Sequence, residues 1–341
     1  MVREKAVVVG TTSWGTTLAL ILARRGMKVH LLARTEDEAN KLNSKRENSS
    51  LLPGIKLPIR IQATASREEA FSEANVAVLA IPAQTMRKNV QWIKDYLSSS
   101  LIIISAAKGI EINTGKRMSQ VIAEEISPAL SNRICVLSGP NIAKEIARGL
   151  HAVTVIAAQD NSIMKNAQRM VTAPHFYVFT NSDVIGVELG GALKNIIALG
   201  VGIIEGMGYG DNIKAACITR GITEITSLGI ALGANPLTFS GLSGLGDIIV
   251  TCSSTLSRNH YVGVELGHGR PLQEITSSIP YVVEGISTTK AAYNLSRKVG
   301  VEMPITSLMY RVLFDNLSIR EASKELLEYP YRYEVGIGDH I

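Results

Sequence analysis

Ala6-Val7-Val8-Val9-Gly10-Thr11-Thr12-Ser13-Trp14-Gly15-Thr16-Thr17-Leu18-Ala19 is the stretch from which the fold is read. A short β-branched run stops at a glycine, a tight turn follows, and a helical pattern begins with Leu18 and Leu22 beside the small Ala19 and Ala23. Strand, glycine turn and helix in that order read as the first βα unit of a dinucleotide-binding domain. The helix start offers unpaired N–H groups and a partial positive charge, which suits a pyrophosphate. Gly10 and Gly15 hold the outer positions of a G-x-G-x-x-G pattern, while Thr12 stands where the middle glycine lets backbone approach the pyrophosphate. Thr12 is open to two readings: it displaces the pyrophosphate, or it offers it a hydroxyl.

Outward from this turn, short apolar runs at 6–9, 29–32, 76–81, 101–105 and 134–137, with fainter ones at 153–157 and 177–179, alternate with helical patterns at 16–25, 36–45, 86–97, 115–125 and 162–171. Runs that are apolar on both faces predict parallel strands covered by helices on both sides. Beyond Asp183 strand signals nearly vanish. A long apolar helix at 183–205 carries Gly190 and Gly191 mid-way, which predicts close packing, because such glycines each cost about 1 kcal/mol against alanine. Asp211 or Asn212 is expected to cap the next helix, Pro304 to open another, and Ser318-x-x-Glu321 to form a capping box. The expected architecture is α/β: a Rossmann-like doubly wound domain at 1–181 and an all-helical domain at 182–341.

The 341 residues are 46% hydrophobic and 19% charged, enough for two cores and far from disorder. A net charge of +5 is scattered, with no block of like charges, so nucleic acid is not an expected partner, whereas anionic small molecules are. Met1-Val2-Arg3-Glu4-Lys5 leads straight into a strand and predicts no signal peptide, and the apolar stretch 196–204 reads as a buried helix rather than a membrane span. Cys135, Cys217 and Cys252 form neither a metal spacing nor a disulfide framework, so a cytoplasmic protein without metal is expected.

The strand at 29–32 ends without the acid that would accept from an adenosine ribose; Arg34 stands there instead, with Glu36 and Asp37 next. An arginine binds a 2′-phosphate or stacks on adenine, which favours NADPH or tolerance of both NADPH and NADH. Lys108 follows the strand at 101–105, at the sheet edge where ligands bind. Lys194 lies mid-helix among Leu193, Ile196 and Ile197, where a lysine is costly unless paired or functional. No histidine falls in any of these motifs, so a lysine is the candidate proton donor, its pKa lowered by desolvation and by a nearby cation such as Lys108. Asp247 ends the glycine-rich 241–246 loop, able to orient Lys194, to accept from a substrate hydroxyl or simply to cap a helix, with Thr251 one turn on. Ser257-Arg258-Asn259 sets a cationic fork beside a hydroxyl and an amide, a combination suited to a phosphate monoester.

Ser13-Trp14-Gly15-Thr16, Ala80-Ile81-Pro82, Ser105-Ala106-Ala107-Lys108-Gly109-Ile110-Glu111, Leu137-Ser138-Gly139-Pro140-Asn141-Ile142-Ala143-Lys144-Glu145, Gly191-Ala192-Leu193-Lys194-Asn195-Ile196, Leu242-Ser243-Gly244-Leu245-Gly246-Asp247 and Ser257-Arg258-Asn259 follow one another along nearly the whole chain. Together they resemble the NAD(P)-dependent glycerol-3-phosphate dehydrogenases of the soluble bacterial type. The resemblance implies interconversion of dihydroxyacetone phosphate and sn-glycerol 3-phosphate by hydride transfer, supplying glycerol phosphate for phospholipids. It implies Lys194 as proton donor and acceptor, and Lys108, Gly139, Asn141, Asp247, Ser257, Arg258 and Asn259 as substrate contacts. It implies cofactor contacts from Ser13, Trp14, Arg34, Lys108, Ala143, Arg258, Val282 and Glu284, in addition to the Gly10–Gly15 turn. Asn141 stands where that family commonly has a serine or threonine. A homodimer is expected from the apolar helical half. Two other readings are a β-hydroxy acid or ketoacid dehydrogenase of the same two-part plan, and a nucleotide-binding sensor without catalysis.

Overall fold

The computed structural model describes residues 4–328. Eight strands, β1 (Lys5–Val9), β2 (Lys28–Leu32), β3 (Ile61–Thr64), β4 (Val76–Leu79), β5 (Ile102–Ser105), β6 (Ile134–Ser138), β7 (Ala152–Ala157) and β8 (Phe176–Asn181), form one sheet. Helices α1 (Ser13–Arg24), α2 (Glu36–Lys45), α3 (Arg67–Phe71), α4 (Met86–Ile93), α5 (Met118–Glu125), α6 (Ala143–Ala147) and α7 (Asn161–Val171) cover it. The strand order is β3-β2-β1-β4-β5-β6-β7-β8, parallel from β3 to β6. The order turns back between β1 and β4, and the crevice at that switch is where doubly wound sheets bind ligands. Within β1, Ala6 and Val8 enter one core with α1, α6 and α7, while Val7 and Val9 enter a second core with α3, α4 and α5. That two-sided burial is why these strands read as continuous apolar runs.

Three details differ from the sequence reading. β3 and α3 went unread, because four and five residues are too short to establish a period. β7 runs antiparallel to β6, and β8 follows β7 in parallel. β8 is the edge strand, with Tyr177 and Phe179 exposed and Phe176 and Val178 buried, so it shows alternation rather than an apolar run.

From Asp183 to Glu328 every regular element is helical: α8 (Val184–Gly206), α9 (Gly210–Ala231), α10 (Pro236–Phe239), α11 (Asp247–Ser253), α12 (Arg258–Gly267), α13 (Leu272–Ser278), α14 (Glu284–Val299), α15 (Pro304–Phe314) and α16 (Ile319–Glu328). α8 is the axis, with α9, α11, α12, α14 and α15 packed around it. It is long and apolar enough to cross a membrane, yet 94% of its most apolar window is buried inside the protein. A Cβ at Gly191 would lie 2.2 Å from the Ser138 hydroxyl, and one at Gly202 would lie 2.9 Å from the Cα of Gly263 on α12. Those glycines are what let α8 touch both the sheet and α12. Ser318 and Glu321 form the expected capping box. Asp211 and Asn212 do not cap α9, which starts at Gly210; Asp211 instead pairs with Lys214 at 2.8 Å.

Glu188 and Glu284 help tie the halves together. Glu188 of α8 accepts from the backbone N–H and hydroxyl of Ser119 (2.7 and 2.6 Å) and pairs with Arg117. Glu284, the first residue of α14, accepts from the backbone N–H of Ala83 at 3.0 Å.

Candidate active site

The carboxyl edge of the sheet carries the first part of the site. Gly10 ends β1 with φ +107°, and a Cβ there would meet Ile81 Cγ2 at 2.7 Å and the Ala80 carbonyl at 2.8 Å. The turn therefore requires glycine, and it delivers the chain into α1 beside the β4 loop. Thr12 is the N-cap of α1: its hydroxyl accepts from the Gly15 N–H and donates to the Ala80 carbonyl, each at 2.9 Å. Both open readings of Thr12 had its side chain facing the pyrophosphate; the hydroxyl is instead spent on holding the turn. Ser13 and Trp14 follow in the first turn of α1, and the buried Trp14 Nε1 has no partner among the described residues. Ala143 opens α6, where its carbonyl accepts from Thr17 of α1 at 3.2 Å. Arg34 is exposed beyond β2 with no ion pair among the described residues. Its backbone N–H donates to Glu38 at 3.0 Å, and Asp37 pairs with Lys41 at 2.6 Å.

The second part is assembled from four distant places. Lys108 Nζ, past β5, donates to the Gly139 carbonyl at 2.8 Å and to Asp247 Oδ2 at 2.5 Å. Lys194 Nζ, from α8, donates to Asp247 Oδ1 at 2.8 Å and to the Thr251 hydroxyl at 2.5 Å. One carboxylate, 1% exposed, thus holds two ammonium groups, the one from α8 itself 7% exposed. Asp247 begins α11 but does not cap it; its Oδ1 accepts from Lys194, and Thr251 lies one helical turn away on the same side. Burial is the main force on Lys108 and brings its pKa down to about 8, with the Asp247 charge opposing and the Lys194 charge assisting.

Around these groups Gly139 takes φ +142°, and Asn141 donates to Thr154 at 3.3 Å while its buried Oδ1 has no partner among the described residues. The same holds for the buried hydroxyls of Ser105, Ser138 and Ser243. Ser138 was quoted in a motif but given no role; its place at the carboxyl end of β6 was the available signal.

The Ser257-Arg258-Asn259 fork is split by the fold. Ser257 caps α12, accepting from the His260 N–H at 3.3 Å. Asn259 is buried, donating to Asn195 at 2.8 Å and accepting from the Gly285 N–H at 2.9 Å, so it braces α8 against α14. Arg258 is exposed: it lies 5.3 Å over the Tyr281 ring, and surrounding protein lowers its pKa while Glu284 opposes. Val282 is 49% exposed before α14; the second oxygen of Glu284 is buried with no partner among the described residues, and burial raises the pKa of this carboxyl group.

A nicotinamide dinucleotide fits what is present. The glycine turn and the start of the 12-residue α1 suit its pyrophosphate, and unpartnered polar atoms on Trp14 and Glu284 stand at the positions expected to face it.

Comparison with known proteins agrees. Residues 5–164 match the N-terminal part, and residues 183–324 the C-terminal part, of the family described as NAD-dependent glycerol-3-phosphate dehydrogenase. The glycerol-3-phosphate dehydrogenase [NAD(P)+] of Dehalococcoides mccartyi is 53% identical over 333 residues, covering 97% of this chain and 93% of that one. That of Bacillus mycoides is 47% identical over 333 residues, 97% of each chain. The crystal structure of the Coxiella burnetii glycerol-3-phosphate dehydrogenase superposes with a TM-score of 0.91 at 32% identity, covering 96% of this chain and 99% of that one. With both halves matched in order, the chain belongs to the NAD-dependent glycerol-3-phosphate dehydrogenase family.

Proposed function

We propose that the cleft where Asp247 joins Lys108 to Lys194 is where this NAD(P)-dependent oxidoreductase interconverts dihydroxyacetone phosphate and sn-glycerol 3-phosphate. The doubly ligated carboxylate is the observation that carries the reading. The bound nicotinamide supplies or takes the hydride. Each ammonium has spent two of its three N–H groups on the protein, which leaves one apiece for a substrate oxygen. Two cations at a ketone oxygen stabilise the charge that grows there. Lys194 gives the proton that completes the alcohol, and Asp247 with Thr251 fixes its direction. Gly139 and Asn141 line the same edge.

Arg258, at the start of α12, takes the substrate phosphate together with the partial positive charge of that helix end, and Ser257 shapes the end by capping it. Asn259 braces the same helix start and keeps one amide N–H for the substrate. Gly10, Ser13, Trp14, Gly15, Arg34, Ala143, Val282 and Glu284 hold the cofactor along the switch crevice, and Lys108 and Arg258 meet both ligands. The domains are 1–181 and 182–341, with the substrate phosphate in the second. The enzyme works in the cytoplasm, for which its three buried free thiols are suited, and supplies glycerol phosphate for phospholipids. It acts as a homodimer through the helical half, which exposes Ile230, Leu237 and Ile249. The other two readings, a hydroxy- or ketoacid dehydrogenase and a sensor, are not favoured beside relatives of this identity and this lysine pair.

The test is Arg258→Ala, assayed on dihydroxyacetone phosphate and on unphosphorylated dihydroxyacetone. Losing a charged phosphate contact is expected to cut kcat/KM on the phosphate ester by roughly 100-fold. The unphosphorylated ketone should lose far less, and equal losses on both would remove the phosphate assignment.

A further inference from the structure

Between the turn after β1 and the turn after β2 stands one carboxylate that the reaction chemistry does not use. Glu38 Oε1 accepts from the Thr11 hydroxyl, and Oε2 accepts from the Arg34 N–H at 3.0 Å. Thr11 is held from behind by Asn48, which donates to its carbonyl and to the Thr16 hydroxyl, each at 2.8 Å. Thr35 caps α2 by accepting from the Glu38 N–H at 3.2 Å. The carboxylate is therefore fixed in place, half-buried, at the mouth between the two loops. In a doubly wound dinucleotide site this is where the adenosine ribose lies, and an acid there accepts from the 2′-hydroxyl. The end of β2 has no acid, and Glu38 reaches back one helical turn to supply it. Beside it the Arg34 guanidinium is exposed and has no ion pair among the described residues.

We propose that Glu38 is a specificity residue of this enzyme, reading the adenosine 2′ position. Its two oxygens offer about four acceptor sites, two of them taken, so it has capacity for a ribose hydroxyl. Against a 2′-phosphate it presents only like charge. Arg34 has the opposite preference, and the pair accounts for a site that accepts both nucleotides while Glu38 holds NADH affinity up and NADPH affinity down. The inference rests on the cofactor reading above.

Direct calorimetric titration of NADH and NADPH into the full-length protein, without substrate, tests it. Glu38→Gln keeps the shape and removes the charge. The NADPH Kd is expected to fall about tenfold and the NADH Kd to rise about threefold, the size of one charge-assisted contact. Arg34→Ala should weaken NADPH more than NADH. Thr11→Val, which cuts the loop tie but keeps the carboxylate, should leave the ratio of the two constants within about twofold, well inside the shift one charged contact gives. If Glu38→Gln moves both constants in one direction by one factor, or moves neither, Glu38 is only a loop tie and the proposal falls while the enzyme reading stands. Wild-type protein that binds neither nucleotide would overturn the proposal and the cofactor reading together.

Discussion

The turn after β1 and the Lys108–Asp247–Lys194 centre are the two parts of the candidate site, and they are built in opposite ways. The turn is local: Gly10, Thr12 and Gly15 lie within six residues, and the Thr12 hydroxyl closes it onto Gly15 and Ala80. The lysine centre is non-local, since Asp247 lies 139 residues from one lysine and 53 from the other. A local turn is held by backbone geometry and tolerates the loss of one side chain. A buried carboxylate between two ammonium groups is a coupled cluster: removing the carboxylate leaves two cations facing each other, and removing either lysine leaves one carboxylate oxygen without its ammonium partner.

That contrast is sharpest at Lys194. Lys194→Ala removes the proposed proton donor and should lower kcat by about 1,000-fold, within the range for a positioned acid. NADH binding by titration should be near normal, because the cofactor turn is built separately. Turnover near wild type would end the contrast.

Asp247→Asn comes next. It leaves two buried cations facing a neutral amide, and about a hundredfold loss in kcat is expected from misplaced lysines. The variant also carries a pH signature. The Asp247 charge raises the Lys108 pKa against burial, so removing it shifts Lys108 below its value of about 8. The sign for stability follows. In the wild type the folded protein releases the Lys108 proton near pH 8, whereas the unfolded chain keeps it to about 10.4, so this group adds stability as pH rises through that window and penalises the fold below it. In Asp247→Asn the rise should begin at lower pH, as read from denaturant midpoints across a pH series. An unchanged onset would mean that the carboxylate does not govern Lys108.

Thr12→Gly should have the smallest effect. It deletes one cap and one hydrogen bond, about 1 kcal/mol together, visible as a small fall in Tm. Nucleotide binding should change little, since the hydroxyl faces the protein; weaker binding beyond the stability loss would restore a direct contact with the pyrophosphate.

Much of this was legible in the residues. The apolar runs of β1, β2, β4, β5 and β6 marked the buried parallel strands because both faces are covered. Pro304 and the Ser318–Glu321 pair marked helix starts because capping chemistry is local. Lys194 stood out because an ammonium in an apolar helix needs a partner. β3 was too short to show a period, and the π-type turn at Leu242–Gly246 with α11 and α12 was hidden in glycine- and serine-rich sequence. Ser257-Arg258-Asn259 read as one fork, yet a helix start sends successive side chains to different sides: Ser257 caps, Asn259 is buried against Asn195, and Arg258 lies exposed over Tyr281.

The sequence by itself determined the two-part plan, the βα turn and the types of group in the site, because periodicity, caps and buried charge are written within a few residues of one another. Folding alone brought one carboxylate between both lysines, set Glu38 between the turns after β1 and β2, and turned the Thr12 hydroxyl inward. Those are facts of distance between segments remote in the chain, which hydrophobic pattern and local propensity do not encode.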